Sequence, residues 1–352
     1  MNVALIEFNN FHDECIYSQV AYIKSNTNNK VFLVCNYRLK DRIDYWDLID
    51  DVLFVRSKQW GVGYVKILNF LRKNAVERCV FNSVHHPSVL NLLRVASRKR
   101  KYFGLMHDRS NFASKLTRRL NKYMSAYFVL NDYLLPGIET YHQSPVPVSS
   151  LYTIYYQQYK MLDMEKGENE IWVLIPGKMQ NFRRDYATLL NSFVKGDLNP
   201  NIKLIFLGQS IFMRDHGQDI RKDFEQHDKN NNCIFWDAFI DKDTFHTYLS
   251  MADYLLPLIH TNHQTQIEYQ NKISGTFNLA LGYDKPMIMD AFFARFNDFK
   301  SNAVFYTIKD DLVTELNSLK TPDAAKKGEG SKWSFEKLSK KYLDFVLGKI
   351  EK

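Results

Sequence analysis

Short apolar segments alternate with segments of helical periodicity along the whole chain, and this alternation limits the fold most strongly. In the first half, apolar runs predict strands at 3–8, 30–35, 52–55, 77–82, 101–106 and 126–130. Apolar residues at helical spacing predict helices between them, at 14–25, 63–74, 86–97 and 112–124. Strands that alternate with helices in this way form a parallel sheet with helices on both faces.

The same alternation restarts after a proline-containing break at Ser144–Ser150. Strands are predicted at 170–176, 202–207, 233–236, 254–258, 286–289 and 303–307, with helices at 185–195, 218–226, 243–252 and 275–281. A chain of 352 residues is long enough for two domains of ordinary size. The predicted fold class is therefore α/β, with two Rossmann-like, doubly wound domains that face one another across a cleft.

The predicted domain boundary lies within 145–168, which gives an N-terminal domain at 1–150 and a C-terminal domain at 151–330. A polar linker with Gly328 and Gly330 follows at 322–332. Residues 331–352 are predicted to form a C-terminal amphipathic helix, because apolar residues recur on one side from Phe335 to Ile350.

The formal charge of +8 is concentrated in two basic clusters, at 94–101 and 115–122. Both clusters lie on segments with helical apolar spacing, so one interpretation is a solvated helix face. A second is a surface for anionic lipid headgroups, to which each basic residue contributes about 1 kcal/mol near a membrane. Nucleic acid is the weakest interpretation, because the sequence contains no recognisable nucleic-acid-binding motif, and no nucleic-acid partner is expected.

The cysteines and the N-terminus bear on localisation. Cys15, Cys35, Cys79 and Cys233 are scattered, which is typical of reduced thiols in a cytoplasmic protein. No run approaches the roughly 20 apolar residues that span a bilayer, and Met1–Glu7 is too short and too soon charged for a signal peptide. The expected localisation is cytoplasmic, with peripheral association at the inner membrane face as the alternative.

The segment Lys272–Thr276 predicts a site for a phosphate or diphosphate group. Ser274, Gly275 and Thr276 open a predicted helix, whose free N–H groups and dipole favour an anion in front of it. Lys272 adds a full positive charge beside them. The segment thus indicates the class of ligand that the second half binds.

Two glycines at predicted strand ends extend this site. Gly177 and Gly208 end the first two strands of the second half, and ligands of open α/β sheets bind beyond the carboxyl ends of the strands. Glycine there lets the backbone approach a ligand closely. Arg183 and Arg184 open the next helix; one of them is expected to reach a leaving phosphate, and the other to cap the helix or pair with Asp185.

Taken together, these segments resemble the donor domain of GT-B fold glycosyltransferases, in the retaining, glycogen-synthase-like branch. The matching order is Gly177 with Arg183, Leu204–Gly208, Trp236–Ile240, Asp253–Leu258, Lys272–Thr276 and Lys285–Ile288. The resemblance implies a nucleotide-sugar donor linked to uridine or guanosine diphosphate. It further implies that backbone groups of 236–240 hold the base, so the expected donor-binding residues are Gly177, Lys178, Arg183, Gly208, Trp236, Phe239, Ile240, Lys272, Ser274, Gly275 and Thr276.

The first half resembles the acceptor domain of the same family. His12 and Asp13 follow the first strand, Asn82 and His85 follow another, and His107 follows a third. The resemblance places His107 near the transferred sugar. Asp13 or His107 is the expected catalytic group, because a carboxylate or imidazole suits general-base work on an acceptor hydroxyl. His12, Asn82 and His85 are expected to bind the acceptor.

Two acidic patterns bear on mechanism. Many retaining members carry two Glu residues eight positions apart in the phosphate loop, and the matching positions here are Asn271 and Leu279. The stereochemistry of transfer therefore stays open. Asp241-Lys242-Asp243 resembles a metal-binding Asp-x-Asp pattern, but it directly precedes a helix and favours an N-cap. No metal site and no cofactor are expected, the nucleotide-diphosphate sugar being a substrate.

The predicted function is transfer of a sugar to a hydroxyl of a glycan or lipid-linked acceptor, in surface polysaccharide or glycoconjugate assembly. One alternative is a nucleotide-sugar epimerase on the same fold, which needs the diphosphate site but no acceptor. A second is a catalytically silent, glycosyltransferase-like subunit that binds a partner enzyme.

Overall fold

The computed structural model describes residues 1–26, 28–56, 61–211, 217–260, 268–307, 312–322 and 331–348. The chain folds as two compact units. The first contains Met1–Gln157, Asn271–Ile273 and Gly328–Lys352, and the second contains Gln158–Gln270 and Ser274–Lys327. Each unit is built on a parallel sheet with helices, so the predicted α/β, Rossmann-like fold class is confirmed.

The first unit contains a seven-stranded parallel sheet. Its strands are β1 (Asn2–Glu7), β2 (Lys30–Asn36), β3 (Asp51–Val55), β4 (Arg78–Phe81), β5 (Lys101–Met106), β6 (Ala126–Leu130) and β7 (Val148–Leu151). The order across the sheet is β3-β2-β1-β4-β5-β6-β7. The direction of winding reverses between β1 and β4, and such a switch point leaves a crevice beyond the carboxyl ends of the two strands.

The helices of the first unit connect these strands. They are α1 (Ile16–Lys24), α2 (Gly61–Lys73), α3 (Pro87–Val95) and α4 (Lys115–Leu120), with 3-10 turns at Asp13–Cys15, Tyr37–Arg42, Trp46–Leu48, Arg109–Ala113, Asp132–Leu134 and Ile138–Thr140. Helix α3 begins with Pro87 in its first turn, where a missing N–H costs nothing, and the His86 side chain accepts from Ser88 N. Helix α4 is capped by Ser114.

The C-terminal helix completes the core of the first unit. Helix α11 (Phe335–Leu347), the last helix of the described chain, packs against α1. Tyr342 of α11 is buried, stacks on Phe128 of β6 and donates its hydroxyl to Gln19 of α1. Arg78 donates to the carbonyls of Val346 and Leu347. Helix α11 is therefore part of this unit and not a separate element; the predicted helix position Ile350 lies outside the described residues.

The second unit contains a six-stranded parallel sheet with the order β10-β9-β8-β11-β12-β13. Its strands are β8 (Ile171–Leu174), β9 (Ile202–Gln209), β10 (Cys233–Trp236), β11 (Tyr254–Leu255), β12 (Met287–Asp290) and β13 (Ala303–Tyr306). Its switch point lies between β8 and β11. Buried apolar side chains of the sheet and of the first helix, such as Val173, Phe206 and Phe193, form its core.

The helices of the second unit are α5 (Tyr186–Lys195), α6 (Gly217–His227), α7 (Lys242–Met251), α8 (Gly275–Tyr283), α9 (Asn297–Lys300) and α10 (Leu312–Asn317), with a 3-10 turn at Ala291–Arg295. Asp185 caps α5 by accepting from Thr188 N at 3.2 Å. Asp241 caps α7 by accepting from Thr244 N at 2.9 Å. The N-cap interpretation of the Asp241-Lys242-Asp243 pattern thus agrees with the structure.

The structure differs most from the predicted elements at the following two places. The proline-containing break contains β7, because Val148–Leu151 pairs with β6. The predicted helix 112–124 is divided, since the 3-10 turn Arg109–Ala113 ends at Ser114 and α4 spans only Lys115–Leu120. The structure divides the chain after Gln157, inside the predicted boundary range 145–168, but it assigns Asn271–Ile273 to the first unit, whereas the sequence places them in the C-terminal domain at 151–330.

A helix that crosses a bilayer must be both long and predominantly apolar. Among the helices in the described part of the chain, none combines the two well enough to cross a bilayer.

Candidate functional site

A buried carboxylate marks the switch point of the first unit. Glu7 is the last residue of β1 and is fully buried. Its Oε2 accepts hydrogen bonds from Ser83 Oγ at 2.6 Å and from Asn82 Nδ2 at 2.8 Å, and its Oε1 accepts from Asn9 N at 2.7 Å. Burial raises the pKa of Glu7 from 4.5 to about 7, although these hydrogen bonds oppose the rise.

A pocket of about 260 Å³ opens beside this network at the carboxyl edge of the sheet. Polar residues that follow β1, β4 and β5 contribute to its walls, as the convergence of strand ends at one edge predicts. The lining residues are Asn9, His12, Ser83, Val84, His85, His86, Pro87, Leu105, His107, Asp108 and Asn111. The structure thus brings His12, His85 and His107, which come from three separate strand ends, to one pocket.

His107 and His12 stack on each other in this pocket, with ring centroids 3.8 Å apart. His107 Nε2 donates to the Asn82 carbonyl at 2.7 Å, so the neutral ring carries its lone pair on Nδ1. Burial, and next the neighbouring His12, lower the pKa of His107. A neutral imidazole is therefore available as a proton acceptor. His12 adopts a left-handed backbone conformation with φ of 69°, which is uncommon outside glycine.

Asp13, the other expected catalytic group, lies just beyond this pocket. It begins the 3-10 turn Asp13–Cys15, and its Oδ1 is 3.2 Å from Nη1 of Arg42. Burial and next the neighbouring Glu14 raise the pKa of Asp13, whereas Arg42 opposes the rise. Asp13 does not line the pocket as the described residues define it, so His107 is the better placed of the two expected bases.

The expected acceptor residues have different roles in the structure. The side chain of Asn82 is buried, donating to Glu7 and to the His12 carbonyl at 2.7 Å and accepting from Gln19. Asn82 thus holds the loop that carries His12. His85 faces the pocket, with Nε2 3.0 Å from Ser114 Oγ, and burial lowers its pKa.

The second unit has two glycines in close contact at the carboxyl edge of its sheet. Gly177 follows β8 with φ of +103°, a conformation that L side chains rarely adopt. A Cβ at Gly208, in β9, would lie 2.3 Å from the carbonyl oxygen of Gly177. Both positions therefore require glycine, at Gly177 for its backbone conformation and at Gly208 for this contact; the predicted close approach of the backbone to a ligand stays a prediction.

The structure distinguishes the two consecutive arginines near Gly177. Arg184 donates to the carbonyl of Pro257 at 2.6 Å and also to that of Pro176. Since these carbonyls follow β11 and β8, the guanidinium group of Arg184 bridges the switch point of the sheet. Arg183 is exposed and lies over the Phe182 ring, 5.3 Å from its centroid, and Lys178 is also exposed. Arg183 is thus the arginine whose side chain is accessible to a ligand.

Helix α8 begins as the sequence predicts, at the carboxyl side of β11. Ser274 is its N-cap and accepts from Thr276 N, and both residues are buried. Gly275 between them is exposed, and a Cβ there would meet no described atom within 4 Å. The part of the chain that the structure describes thus leaves the space beside Gly275 unfilled at the start of this helix.

Lys272 lies only two residues before Ser274 but belongs to the first unit. Its backbone pairs with Asp108 in an antiparallel bridge, and its carbonyl accepts from Tyr133 OH at 2.8 Å. Arg109 Nε donates to the adjacent Asn271 at 3.0 Å. The backbone of this three-residue segment is thus fixed by the strand ends and loops of the first unit.

The expected base-binding segment follows β10. The carbonyl of Trp236 accepts from both N and Oγ of Ser210, each at 2.8 Å, so this backbone group is already engaged. Ile240 is buried, whereas Phe239 is 80% exposed. Phe239 thus offers an accessible aromatic face at the same edge of the sheet as Gly208.

Sequence reasoning missed Glu7, Ser83 and Asp108. Glu7 ends an otherwise apolar strand, and a charged residue at the carboxyl end of a buried strand was the available signal.

Among the described residues, no group of three or more His, Cys, Asp or Glu side chains is arranged to bind a metal; the expected metal independence stays a prediction.

These two units, each a parallel sheet with a switch point and a polar carboxyl edge, define the architecture of the GT-B fold, the fold of two Rossmann-like units found in GT-B glycosyltransferases. The expected fold is thereby confirmed, while the branch within it stays a prediction. No protein-family model matches the sequence, and no curated protein sequence matches it.

Solved structures similar to this chain share the fold at low identity. Anabaena HepE in complex with UDP is 12% identical, with 90% of this chain and 89% of that chain covered and a TM-score of 0.62. Sucrose-phosphate synthase from Thermosynechococcus elongatus is 12% identical, with 89% and 88% covered and a TM-score of 0.57. A proposed UDP-N-acetylglucosamine 2-epimerase from Listeria monocytogenes is 9% identical, with 96% and 90% covered and a TM-score of 0.59.

Proposed function

We propose that this chain is a glycosyltransferase that moves a sugar from a nucleotide-diphosphate sugar to an acceptor hydroxyl. The observation that carries the proposal is the N-terminus of α8 at Ser274–Thr276, at the carboxyl edge of the second sheet. The positive end of the helix dipole stabilises a diphosphate there. The similarity to HepE, whose structure contains UDP, supports a uridine nucleotide as the donor.

In this proposal the donor is bound by the second unit, with Lys272 added by the segment that precedes Ser274 in sequence. Gly177 and Gly208 let the sheet edge approach the nucleotide, and Arg183 with Lys178 adds positive charge. Ser274, Gly275, Thr276 and Lys272 hold the diphosphate, and the segment Trp236–Ile240 holds the base. The charge of the leaving group is then met by these cations and the helix N-terminus without a metal, so addition of a chelator is expected to leave turnover unchanged.

The first unit binds the acceptor in the pocket that contains His12, His85 and His107. His107 or Asp13 accepts the proton from the acceptor hydroxyl, and removal of such a base lowers turnover roughly 10²- to 10⁴-fold. His107→Gln and Asp13→Asn, assayed separately, are expected to identify which of the two does so. The proposed acceptor is a glycan or lipid-linked precursor of a surface polysaccharide, and the basic segments 94–101 and 115–122 are proposed to face an anionic membrane.

Substitutions at Gly275 test the donor site. Gly275→Asp places a carboxylate where the diphosphate binds, and we expect the affinity for UDP in titration calorimetry to fall about tenfold or more. Gly275→Ala is the matched control, because the space around the position is open. Aspartate in the first turn of a helix is stabilising, so unfolding does not explain a loss of binding. Equal UDP affinity in both variants, or unchanged turnover in Lys272→Ala, contradicts the proposed site.

An epimerase is the second candidate, favoured by the similarity to the proposed Listeria 2-epimerase. An epimerase converts one nucleotide sugar into another with no acceptor present. Incubation with a nucleotide sugar alone, followed by product analysis, distinguishes the two, because a transferase releases only slow hydrolysis products. A catalytically silent subunit gives neither product.

A further inference from the structure

A second pocket of about 490 Å³ lies at the opposite edge of the first sheet. Lys101, Ser125 and Pro147 line it; Lys101 is the first residue of β5, and Ser125 and Pro147 directly precede β6 and β7. The pocket is therefore at the amino edge of the sheet, whereas the pocket with His107 is at the carboxyl edge. The catalytic proposal makes no use of this second pocket.

The walls of the amino-edge pocket combine positive charge with apolar surface. Four basic residues line it, namely Arg98, Arg100, Lys101 and Lys122, and Arg100 is held by donation from Nε to the Val76 carbonyl at 2.9 Å. The apolar residues of the lining are Leu93, Ala96, Met124, Pro145, Val146 and Pro147. Among the described residues that line the pocket, none is acidic.

The charge around this pocket is strongly one-sided. Residues 77–131 contain eleven Lys and Arg residues and two acidic residues, Asp108 and Glu77, of which Glu77 precedes β4 at the same amino edge. Asp108 lines the carboxyl-edge pocket, so it does not offset the basic residues at the amino edge. Since the whole chain has a formal charge of +8, this segment carries more positive charge than the entire protein, and the rest of the chain is slightly acidic.

Exposed residues next to the pocket extend the same combination. Arg94, Lys99, Arg118 and Arg119 are exposed, and so is Val95, at 60%. Val95 ends α3, and Leu93 of this helix and Ala96, which follows it, both line the pocket. A basic rim around an apolar cavity complements a ligand with an anionic headgroup and a hydrocarbon chain.

We propose that the amino-edge pocket binds one anionic phospholipid of a membrane surface. The phosphate lies among Arg98, Arg100, Lys101 and Lys122, and the first methylene groups of an acyl chain contact Leu93, Ala96, Met124 and Val146. This site goes beyond general attraction of the basic segments to a charged surface, since one lipid is bound individually. It does not depend on the proposed sugar transfer.

Monomeric dihexanoyl phosphatidylglycerol, a lipid that is soluble without a membrane, tests individual binding. Titration calorimetry with the full chain is expected to show saturable binding of one lipid. Ala96→Phe fills the pocket without changing the charge and is expected to abolish this binding. Equal affinity for glycerol phosphate, which has no acyl chain, would overturn the proposal in favour of a simple phosphate site, and so would unchanged binding in Ala96→Phe.

Vesicle flotation tests the membrane as the source of the lipid. The double variant Arg98→Gln, Lys122→Gln changes two exposed residues, so it is expected to fold. Because it removes two positive charges, it is expected to bind vesicles of equal parts phosphatidylcholine and phosphatidylglycerol about 30-fold more weakly. Arg72→Gln, Lys40→Gln is the matched control, because both residues are exposed in the same unit. Equal loss in the two double variants, or equal binding of wild type to pure phosphatidylcholine, contradicts the proposal. Both double variants are expected to bind UDP with the affinity of the wild type.

Discussion

The buried carboxylate Glu7 leads to a prediction about how the stability of the first unit depends on pH. In the folded chain this carboxyl has a pKa of about 7, against an ordinary value of 4.5, because burial disfavours its charged form. The folded state therefore holds a proton between these pH values that the unfolded state has lost. Stability from this group is fully present below about pH 4.5 and is lost as the pH rises to about 7.

The size of the effect follows from the two pKa values. A difference from 4.5 to about 7 corresponds to about 3 kcal/mol in the free energy of unfolding of the first unit. Glu7→Gln removes the ionisation and keeps the shape of the side chain. The variant loses some hydrogen bonding to Asn82 and Ser83, so its stability can be lower at every pH. Its pH dependence, however, is expected to lack this decrease.

Urea denaturation at pH 5 and pH 8 measures the difference. Replacing Trp172 and Trp236, the tryptophans of the second unit, by phenylalanine leaves fluorescence that reports the first unit. The free-energy difference between wild type and Glu7→Gln is expected to change by about 2.5 kcal/mol between the two pH values, because part of the full effect is already lost at pH 5. Glu77→Gln, at a 56% exposed carboxylate before β4, controls for the loss of a negative charge. A difference that stays constant from pH 5 to pH 8 refutes the reasoning.

Three further predictions concern other parts of the structure. Gly208→Ala is expected to destabilise the second unit by about 1–3 kcal/mol in urea denaturation, because its Cβ would overlap the Gly177 carbonyl. The control is Gly61→Ala, where a Cβ meets no described atom within 4 Å. Equal effects of the two substitutions contradict the prediction. Tyr342→Phe removes the hydroxyl that donates to Gln19 and is expected to lower the free energy of unfolding of the first unit by about 1 kcal/mol. Tyr342→Ala also removes the buried ring and is expected to lower it by about 3–5 kcal/mol. Similar losses in the two variants argue against burial of the ring. His107 is expected to stay neutral from pH 5 to pH 8 in NMR spectra of its ring, because burial lowers its pKa, and a midpoint above 6.5 is inconsistent with this.

The sequence predicts most of the fold because most strands are continuous apolar runs between turn-forming or charged residues. Strands Lys101–Met106, Ala126–Leu130 and Cys233–Trp236 have the predicted bounds. Strand Val148–Leu151 was missed because Pro145 and Pro147 precede it and serines interrupt it. Its hydrogen bonds come from pairing with β6, which is a property of the tertiary structure.

The candidate site was less predictable, because its contacts join distant parts of the chain. The side chains of Asn82 and Ser83, which donate to Glu7, lie 75 and 76 residues away from it in sequence. Nothing local distinguishes Arg184, which bridges two backbone carbonyls, from the exposed Arg183. The opening of α8 at Ser274–Thr276 was predictable, in contrast, because an N-cap depends only on neighbouring residues.

The position of α11 affects the order in which the protein can fold during synthesis. Domains generally fold as units while the chain emerges from the ribosome, N-terminal part first. Here the sheet of residues 2–151 is translated early, but the ring of Tyr342 that packs on Phe128 is translated after the whole second unit. The half of the molecule that is made first is therefore the half that is finished last, and until then its surface beneath α11 is a ready target for chaperones.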